Sequence, residues 1–341
     1  MAELAADRPC PCGSGKVYTH CCGAERPVAA AGADVARGLA YLTGRGAAAD
    51  PARGAALIER AAEAGDAEGA WLAATLAASG LWRRRNWGQA LDFLAHAAAL
   101  GHGAARSSLR ILARGPDPGG SREGDWDRLR QAVDIDAWLL PPALTRISDT
   151  PRIESIPAFA PPAACDWLIA QARDRLSRAT IYDRVTGGST EDERRTNSQC
   201  DLDVGQLGVL TFVLRARIAA ITGRPERAME IPKVLHYSPG ETFAAHFDYL
   251  DPQEPAYAAE LAARGQRILT FLIYLNDGFG GGETAFPLID VAHKGAKGDA
   301  LLFANVDAAG NPDEDTMHAG MPPTSGEKWI FSQWIRERPG R

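Results

Sequence analysis

The sequence changes its periodicity near residue 150, and no single layer of secondary structure can accommodate both patterns. Before that point, from Asp34 to Arg114, alanine dominates and apolar residues recur at helical spacing. After it, short apolar runs at Lys233–Tyr237, Ile268–Leu275, Ala300–Phe303 and Trp329–Ile335 are separated by Gly-rich turns, which reads as strands. Between the two lie Gly115-Pro-Asp-Pro-Gly-Gly120 and a Pro-rich stretch from Pro141 to Pro162, segments that resist helix and strand alike. At 341 residues the chain is long enough for more than one core. The expectation is a multidomain α + β protein, with modules at 8–24, 34–115 and 151–341 and a linker at 116–150.

The alanine-rich region repeats with an offset of 36 residues. Gly44 maps onto Gly80, Leu57 onto Phe93, Ile58 onto Leu94, Ala61 and Ala62 onto Ala97 and Ala98, and Gly65 onto Gly101. Each copy predicts an apolar helix stopped by glycine and followed by a second helix, such as Ala67–Ser79. Such a unit buries its face by stacking on its neighbour. Trp71, Trp82 and Trp87 are then core and turn packing.

Four of the six cysteines fall between Cys10 and Cys22, in P-C-P-C-G-S-G-K-V-Y-T-H-C-C-G, whereas Cys165 and Cys200 stand alone. This clustering suits a metal site in a reducing compartment better than a disulfide frame. Cys10, Cys12, Cys21 and Cys22 can converge on one tetrahedral zinc, with His20 as an alternative ligand. A piece this short has almost no apolar core, so the metal would supply its folding energy. The stretch resembles the SEC-C motif, a zinc module associated with protein or ribosome contact. The repeats resemble the Sel-like branch of the tetratricopeptide-type repeats, which implies a protein partner.

A net charge of −6 provides no basic field for phosphate backbones or anionic lipid, which argues against nucleic acid and membrane as partners. Met1–Cys12 lacks the apolar core of a signal peptide, and no later run is expected to reach bilayer-spanning length, so a cytoplasmic protein is expected.

Among seven histidines, only His246 is followed two places later by a carboxylate, Asp248. On a strand or its exit, residues i and i+2 point to the same side and can meet one ion. An iron centre that binds a co-substrate and oxygen needs two histidines and one carboxylate on one face, the remaining positions open. His318 is the best second histidine, because Lys328 lies ten residues beyond it, a spacing that the rival His293 lacks. With the strand of Lys328 beside that of His318, the ammonium would lie deeper than the metal and pair a buried carboxylate. Tyr237 could add a phenolic hydrogen bond.

Five segments in order, Y-S-P-G-E-T-F-A-A-H-F-D (Tyr237–Asp248), Q-R-I-L-T-F-L-I-Y-L-N (Gln266–Asn276), G-G-E-T-A-F-P (Gly281–Pro287), K-G-D-A-L-L-F (Lys297–Phe303) and the run from His318 to Trp329, resemble the prolyl 4-hydroxylase branch of the Fe(II)/2-oxoglutarate-dependent dioxygenases. The resemblance implies a double-stranded β-helix, consistent with the antiparallel barrel or jelly roll and flanking helices that the residue pattern itself predicts, including an amphipathic helix at about Ala163–Leu176. It implies His246, Asp248 and His318 as iron ligands, and Lys328, Tyr237 and Thr284 as contacts to 2-oxoglutarate. It also implies Arg267 as a substrate or ordering residue, succinate and carbon dioxide as products, and ascorbate as reductant. Collagen-type members carry tyrosine where this chain has Phe243, which leaves the substrate open. A protein or peptide prolyl residue is the leading expectation. Another residue or a small molecule is the alternative, and a non-catalytic adaptor is the contrasting class. The segments Gly187–Asn197 and Asp251–Gln266 read as mobile surface loops over the mouth.

Overall fold

The computed structural model describes residues 28–113, 124–182 and 189–340. The zinc expectation at Cys10, Cys12, Cys21 and Cys22 therefore lies outside the described residues. The chain divides near residues 132 and 133 into two compact units, with 111–115 grouped in the second.

The first unit is helical: α1 (Val28–Thr43), α2 (Pro51–Glu63), α3 (Ala67–Ser79), α4 (Trp87–Ala99), α5 (Gly103–Leu112) and α6 (Trp126–Ala132). The sequence offset reappears in the end-capping. Asp50 Oδ1 accepts from Arg53 N at 3.0 Å to start α2, and Asn86 Oδ1 accepts from Gln89 N at 3.0 Å to start α4. Asp66 caps α3 through Gly69 N at 2.7 Å, and His102 Nδ1 caps α5 through Ala105 N at 3.2 Å. Each cap satisfies an otherwise orphaned donor, a contribution of about 1 kcal/mol. Gly65 and Gly101 sit at φ +83° and +98° in the turns before these caps, a conformation that β-carbons disfavour. Trp71 is buried and stacks on His102 at 4.9 Å, whereas Trp82 and Trp87 are half-buried.

The second unit is built on an eight-stranded antiparallel sheet. Its order is β1 (Thr145–Ser148), β2 (Ile153–Ile156), β13 (Ala300–Ala304), β9 (Arg267–Tyr274), β16 (Lys328–Arg336), β7 (Lys233–Tyr237), β6 (Ser198–Asp201) and β3 (Ser177–Arg178). A four-stranded sheet runs β12 (Val291–His293), β11 (Thr284–Phe286), β14 (His318–Gly320), β8 (Phe243–His246). Two short pairs, β4 (Ile181–Tyr182) with β5 (Ser189–Thr190) and β10 (Gly280–Gly281) with β15 (Pro323–Ser325), complete the strands. The two main sheets pack against each other through Leu235, Tyr237, Leu272, Tyr274 and Ile330 on one side and Phe286 on the other. The Phe286 and Phe303 rings meet edge-on at 5.1 Å.

Helices α7 (Ile135–Leu139), α8 (Pro162–Ala172), α9 (Val204–Thr222) and α10 (Ala258–Arg264) flank the sheets. Arg215 of α9 reaches Gln333 of β16 at 2.9 Å, which fixes that helix to the large sheet. With side chains packed on both faces, β9 is buried from Ile268 to Tyr274 and carries an unbroken apolar run apart from Thr270.

Several expectations need correction. The helix α9 was not foreseen, and at 19 residues it is long and apolar enough to cross a membrane, contrary to the reading that no run reaches that length. It is mostly buried inside the unit, where an apolar surface all round is what a core helix needs. The expected linker at 116–150 carries α6, α7 and β1, and the Pro-rich stretch holds the β1–β2 hairpin, because its prolines flank the strands rather than interrupt them. Within Asp251–Gln266 lies α10, and Gln266 itself is buried, with Nε2 donating to Leu250 O at 2.7 Å.

Candidate active site

In the small sheet, β8 and β14 run antiparallel with His246 directly opposite His318. Asp248 follows just past the end of β8 and turns its carboxylate toward both rings. His246 Nε2 lies 3.6 Å from Asp248 Oδ1, and His318 Nε2 lies 3.5 Å from Asp248 Oδ2. The three ligating atoms fall within 4.8 Å of one another. Thus the structure brings together the three residues singled out from the sequence.

The remaining ring nitrogens determine what those atoms offer. His246 Nδ1 lies 2.8 Å from Ala244 O, and His318 Nδ1 lies 3.0 Å from Thr316 O. A carbonyl only accepts, so a neutral ring must carry its proton on Nδ1 and present a lone pair at Nε2. Burial, reinforced by the neighbouring His318, pushes the His246 pKa below its ordinary value, which favours that neutral form. Burial alone would raise the Asp248 carboxyl, but the two adjacent imidazoles hold it well below the usual carboxylate range. Two ring nitrogens and a carboxylate aimed at one point can hold a cation between them, and nitrogen and oxygen donors in this ratio suit ferrous iron.

Packing fixes the rings. His318 lies between Phe286 and Phe303, with centroids at 5.7 and 4.6 Å. His246 stacks on Phe243 at 3.5 Å, and the Arg195 guanidinium sits 4.3 Å from the Phe243 centroid. Phe243 therefore acts as a spacer between an imidazole and a buried cation.

Behind the triad lies a narrow chamber whose lining includes Tyr237, Leu272, Thr284, His318, Lys328 and Ile330. Lys328 is 2% exposed, and among the described residues no carboxylate lies within ion-pairing distance of it. Its register partner across β16 and β7 is Tyr237, whose ring lies 4.8 Å from the Lys328 ammonium. Burial lowers the Lys328 pKa to about 8 and raises that of Tyr237 to about 12. Thr284 is buried, and its hydroxyl lies 3.0 Å from Tyr274 Oη, which in turn donates to His293 O. A buried ammonium and a phenol without a carboxylate partner form an anion site. The expected adjacency of the His318 and Lys328 strands is not observed: β14 belongs to the small sheet and β16 to the large one, and the residues meet across the space between.

On the solvent side, a cleft of about 780 Å³ opens onto His246 and Asp248, lined by Ile181, Arg195, Phe247, Tyr257, Arg267 and Trp334 among others. Arg267 does not reach freely into it. Its guanidinium makes a two-pronged contact with Glu230, at 2.8 and 3.1 Å, and lies 3.8 Å from the Trp334 ring centroid. Arg336 joins the same carboxylate at 3.2 Å. Arg267 is therefore an ordering residue of the cleft wall.

Sequence reasoning missed Arg195, reading its segment as a mobile loop. Arg195 is buried and bonds Thr180 O at 3.0 Å and Gln199 Oε1 at 2.9 Å, and its backbone pairs with Phe243. It missed Glu230 as well. It also missed Thr270 and Asn305, which stand behind Asp248. The available signal for Thr270 was a lone hydroxyl inside an otherwise apolar strand, which must find a partner.

Residues 232–336 match the 2OG-Fe(II) oxygenase superfamily model, and residues 9–24 match the SEC-C motif. The class defined by fold and site is thus a 2-oxoglutarate-dependent dioxygenase. The chain is 34% identical over 213 residues to "Probable prolyl 4-hydroxylase 7" of Arabidopsis thaliana, covering 57% of this chain and 66% of that protein, just under two thirds. It is 34% identical over 229 residues to "Prolyl 4-hydroxylase 1" of the same plant, covering 62% and 79%. The chain belongs to the prolyl 4-hydroxylase family of these oxygenases. Among solved structures, the viral collagen prolyl hydroxylase of Paramecium Bursaria Chlorella virus-1 is 26% identical, covering 56% of this chain and 98% of that one with a TM-score of 0.42.

Proposed function

We propose that this protein hydroxylates a prolyl residue of a protein or peptide, with His246, Asp248 and His318 holding Fe(II) and with Lys328 and Tyr237 holding the distal carboxylate of 2-oxoglutarate. The observation that carries this reading is the convergence of two imidazole lone pairs and a carboxylate within 4.8 Å, beside a chamber containing a buried ammonium with no anion. When bound, iron and 2-oxoglutarate supply the dioxygen activation that inserts oxygen into a C–H bond and releases succinate and carbon dioxide.

The chain's own residues supply placement. The Nδ1 contacts to Ala244 O and Thr316 O orient both imidazoles, with Nε2 of each turned toward Asp248. The Lys328 ammonium fixes the depth of the co-substrate, while the Thr284 hydroxyl on the same wall gives its proton to Tyr274 Oη and is left as an acceptor. The outer cleft, open and lined by Phe247, Tyr257 and Trp334 together with charged side chains such as Asp192, Arg194 and Glu260, suits an extended peptide better than a small enclosed molecule. The relatives' names support the prolyl reading. The two packed sheets are read as the double-stranded β-helix. Ascorbate as reductant follows the family resemblance. A zinc ion on Cys10, Cys12, Cys21 and Cys22 and partner binding by Sel-like repeats belong to the same reading, supported by the SEC-C match and the repeated caps.

The test is incubation of the protein with Fe(II), 2-oxoglutarate, ascorbate and proline-rich peptides, read by mass spectrometry. Gain of one oxygen on proline is expected. Oxygen gained on another residue, or only on free small molecules, would replace the prolyl assignment.

A further inference from the structure

We infer that Thr270 and Asn305 form a hydroxyl relay that sets the orientation of Asp248 and so the metal affinity of the site, a proposal that rests on the iron-site reading above. Thr270 Oγ1 lies 2.7 Å from Asp248 Oδ2, and Asn305 Nδ2 lies 3.0 Å from the same hydroxyl. An amide nitrogen only donates, so the threonine oxygen must accept from Asn305. Its single proton is then directed at Asp248. The reverse amide orientation would place two acceptors, Asn305 Oδ1 and Asp248 Oδ2, in competition for that one proton.

Both relay residues are almost fully buried, Thr270 at 1% exposure and Asn305 at 0%, so water does not replace either bond. Asn305 is itself held by its backbone, whose N–H donates to Ile268 O at 2.9 Å across to β9. The relay therefore hangs from the large sheet, whereas both histidines sit on the small one. Asp248 Oδ2 has a hydroxyl partner in Thr270, and Oδ1, on the His246 side, has none. An oriented carboxylate with one oxygen occupied is prepared to act through the other, and loss of such an outer contact lowers metal affinity. Thr270 and Asn305 are positioning residues, since neither reaches the space between the three ligands.

The test uses the full chain and Mn(II), which suits nitrogen and oxygen ligands, with binding followed by electron paramagnetic resonance and by the metal-induced rise in melting temperature. Thr270→Val should weaken Mn(II) binding by about 10-fold. Thr270→Ser, which restores the hydroxyl, should stay within about 2-fold of wild type. Asn305→Ala should weaken binding less than Thr270→Val. The double variant should be no weaker than Thr270→Val alone, because the two act through one hydroxyl. If Thr270→Val fails to fold, Thr270→Ser and Asn305→Ala still read the relay. Folded Thr270→Val that binds Mn(II) as wild type does, while His318→Ala does not, would overturn the relay and leave the site intact. Wild-type protein that binds no Mn(II) would overturn the site reading itself, and the relay with it.

Discussion

Lys328 and Tyr237 face each other directly across β16 and β7, the ammonium 4.8 Å from the centre of the phenol ring. A cation placed there at 2% exposure destabilises the empty fold unless an anion arrives. The same arrangement makes it an affinity device for a carboxylate.

Replacement of Lys328 by methionine should therefore separate stability from function. A hydrogen bond to a charged group is worth about 1.5–3 kcal/mol, so the 2-oxoglutarate KM should rise by about 10- to 100-fold. The ligand-free variant should melt no lower than wild type. A lower melting temperature together with an unchanged KM would contradict both halves.

The Lys328 pKa also dictates a pH trend. Burial lowers it to about 8 in the folded protein against 10.5 for the free side chain, so the unfolded chain binds the extra proton between those values. Stability of the ligand-free protein should rise with pH from about 8 toward 10.5. Affinity for 2-oxoglutarate should fall over the same range as the ammonium is lost. Urea unfolding and ligand titration at several pH values check the two opposite slopes.

Glu230 anchors Arg267 and Arg336 from below the cleft. Glu230→Gln removes the carboxylate charge that two mostly buried guanidiniums share, and breaking such a pair costs about 3–5 kcal/mol. Although burial by itself would raise the Glu230 carboxyl, Arg267 and Arg336 hold it below its usual value. Its stabilising share is thus complete above the unfolded carboxylate pKa and is lost as pH falls through the lower folded value. The variant should lose stability at neutral pH and show a flatter acid limb, measured by denaturant midpoint.

Removing the metal should be visible without turnover. Anaerobic Fe(II) with 2-oxoglutarate should give a weak charge-transfer absorption in wild type and none in His318→Ala. Equal spectra for the two proteins would exclude His318 as a ligand.

In the helical unit, a β-carbon added at Gly69 would sit 2.8 Å from Ala61 Cβ and 2.9 Å from Ala62 N. Because the second neighbour is backbone, side-chain rotation cannot relieve the contact. Gly69→Ala should destabilise by about 1–3 kcal/mol, read by thermal melting of α2 and α3 helicity.

The parts of this fold legible in the sequence were those with a local signature. The strand at Lys233–Tyr237 was matched residue for residue, as was α3 at Ala67–Ser79, because short apolar runs bounded by turn residues and glycine stops are local properties. His246 and Asp248 could be paired from their spacing alone, and His318 from its distance to Lys328. What could not be read was whatever depends on which strands become neighbours. The sheet placement of β14 was misjudged for that reason, and Thr270, Asn305 and Glu230 act only through partners 22 to 106 residues away. Arg195 was hidden because a charged, polar segment looks alike whether it is solvated or zipped onto an edge strand. Helix α9 lacks the one-sided pattern of a surface helix, being apolar all round.

The strand β16 follows every other strand of the described residues in chain order, yet it lies in the middle of the large sheet between β9 and β7. During translation, the two strands it joins must wait with open edges until it emerges from the ribosome. It also brings Lys328, so a nascent chain cannot bury that ammonium before its largest sheet closes.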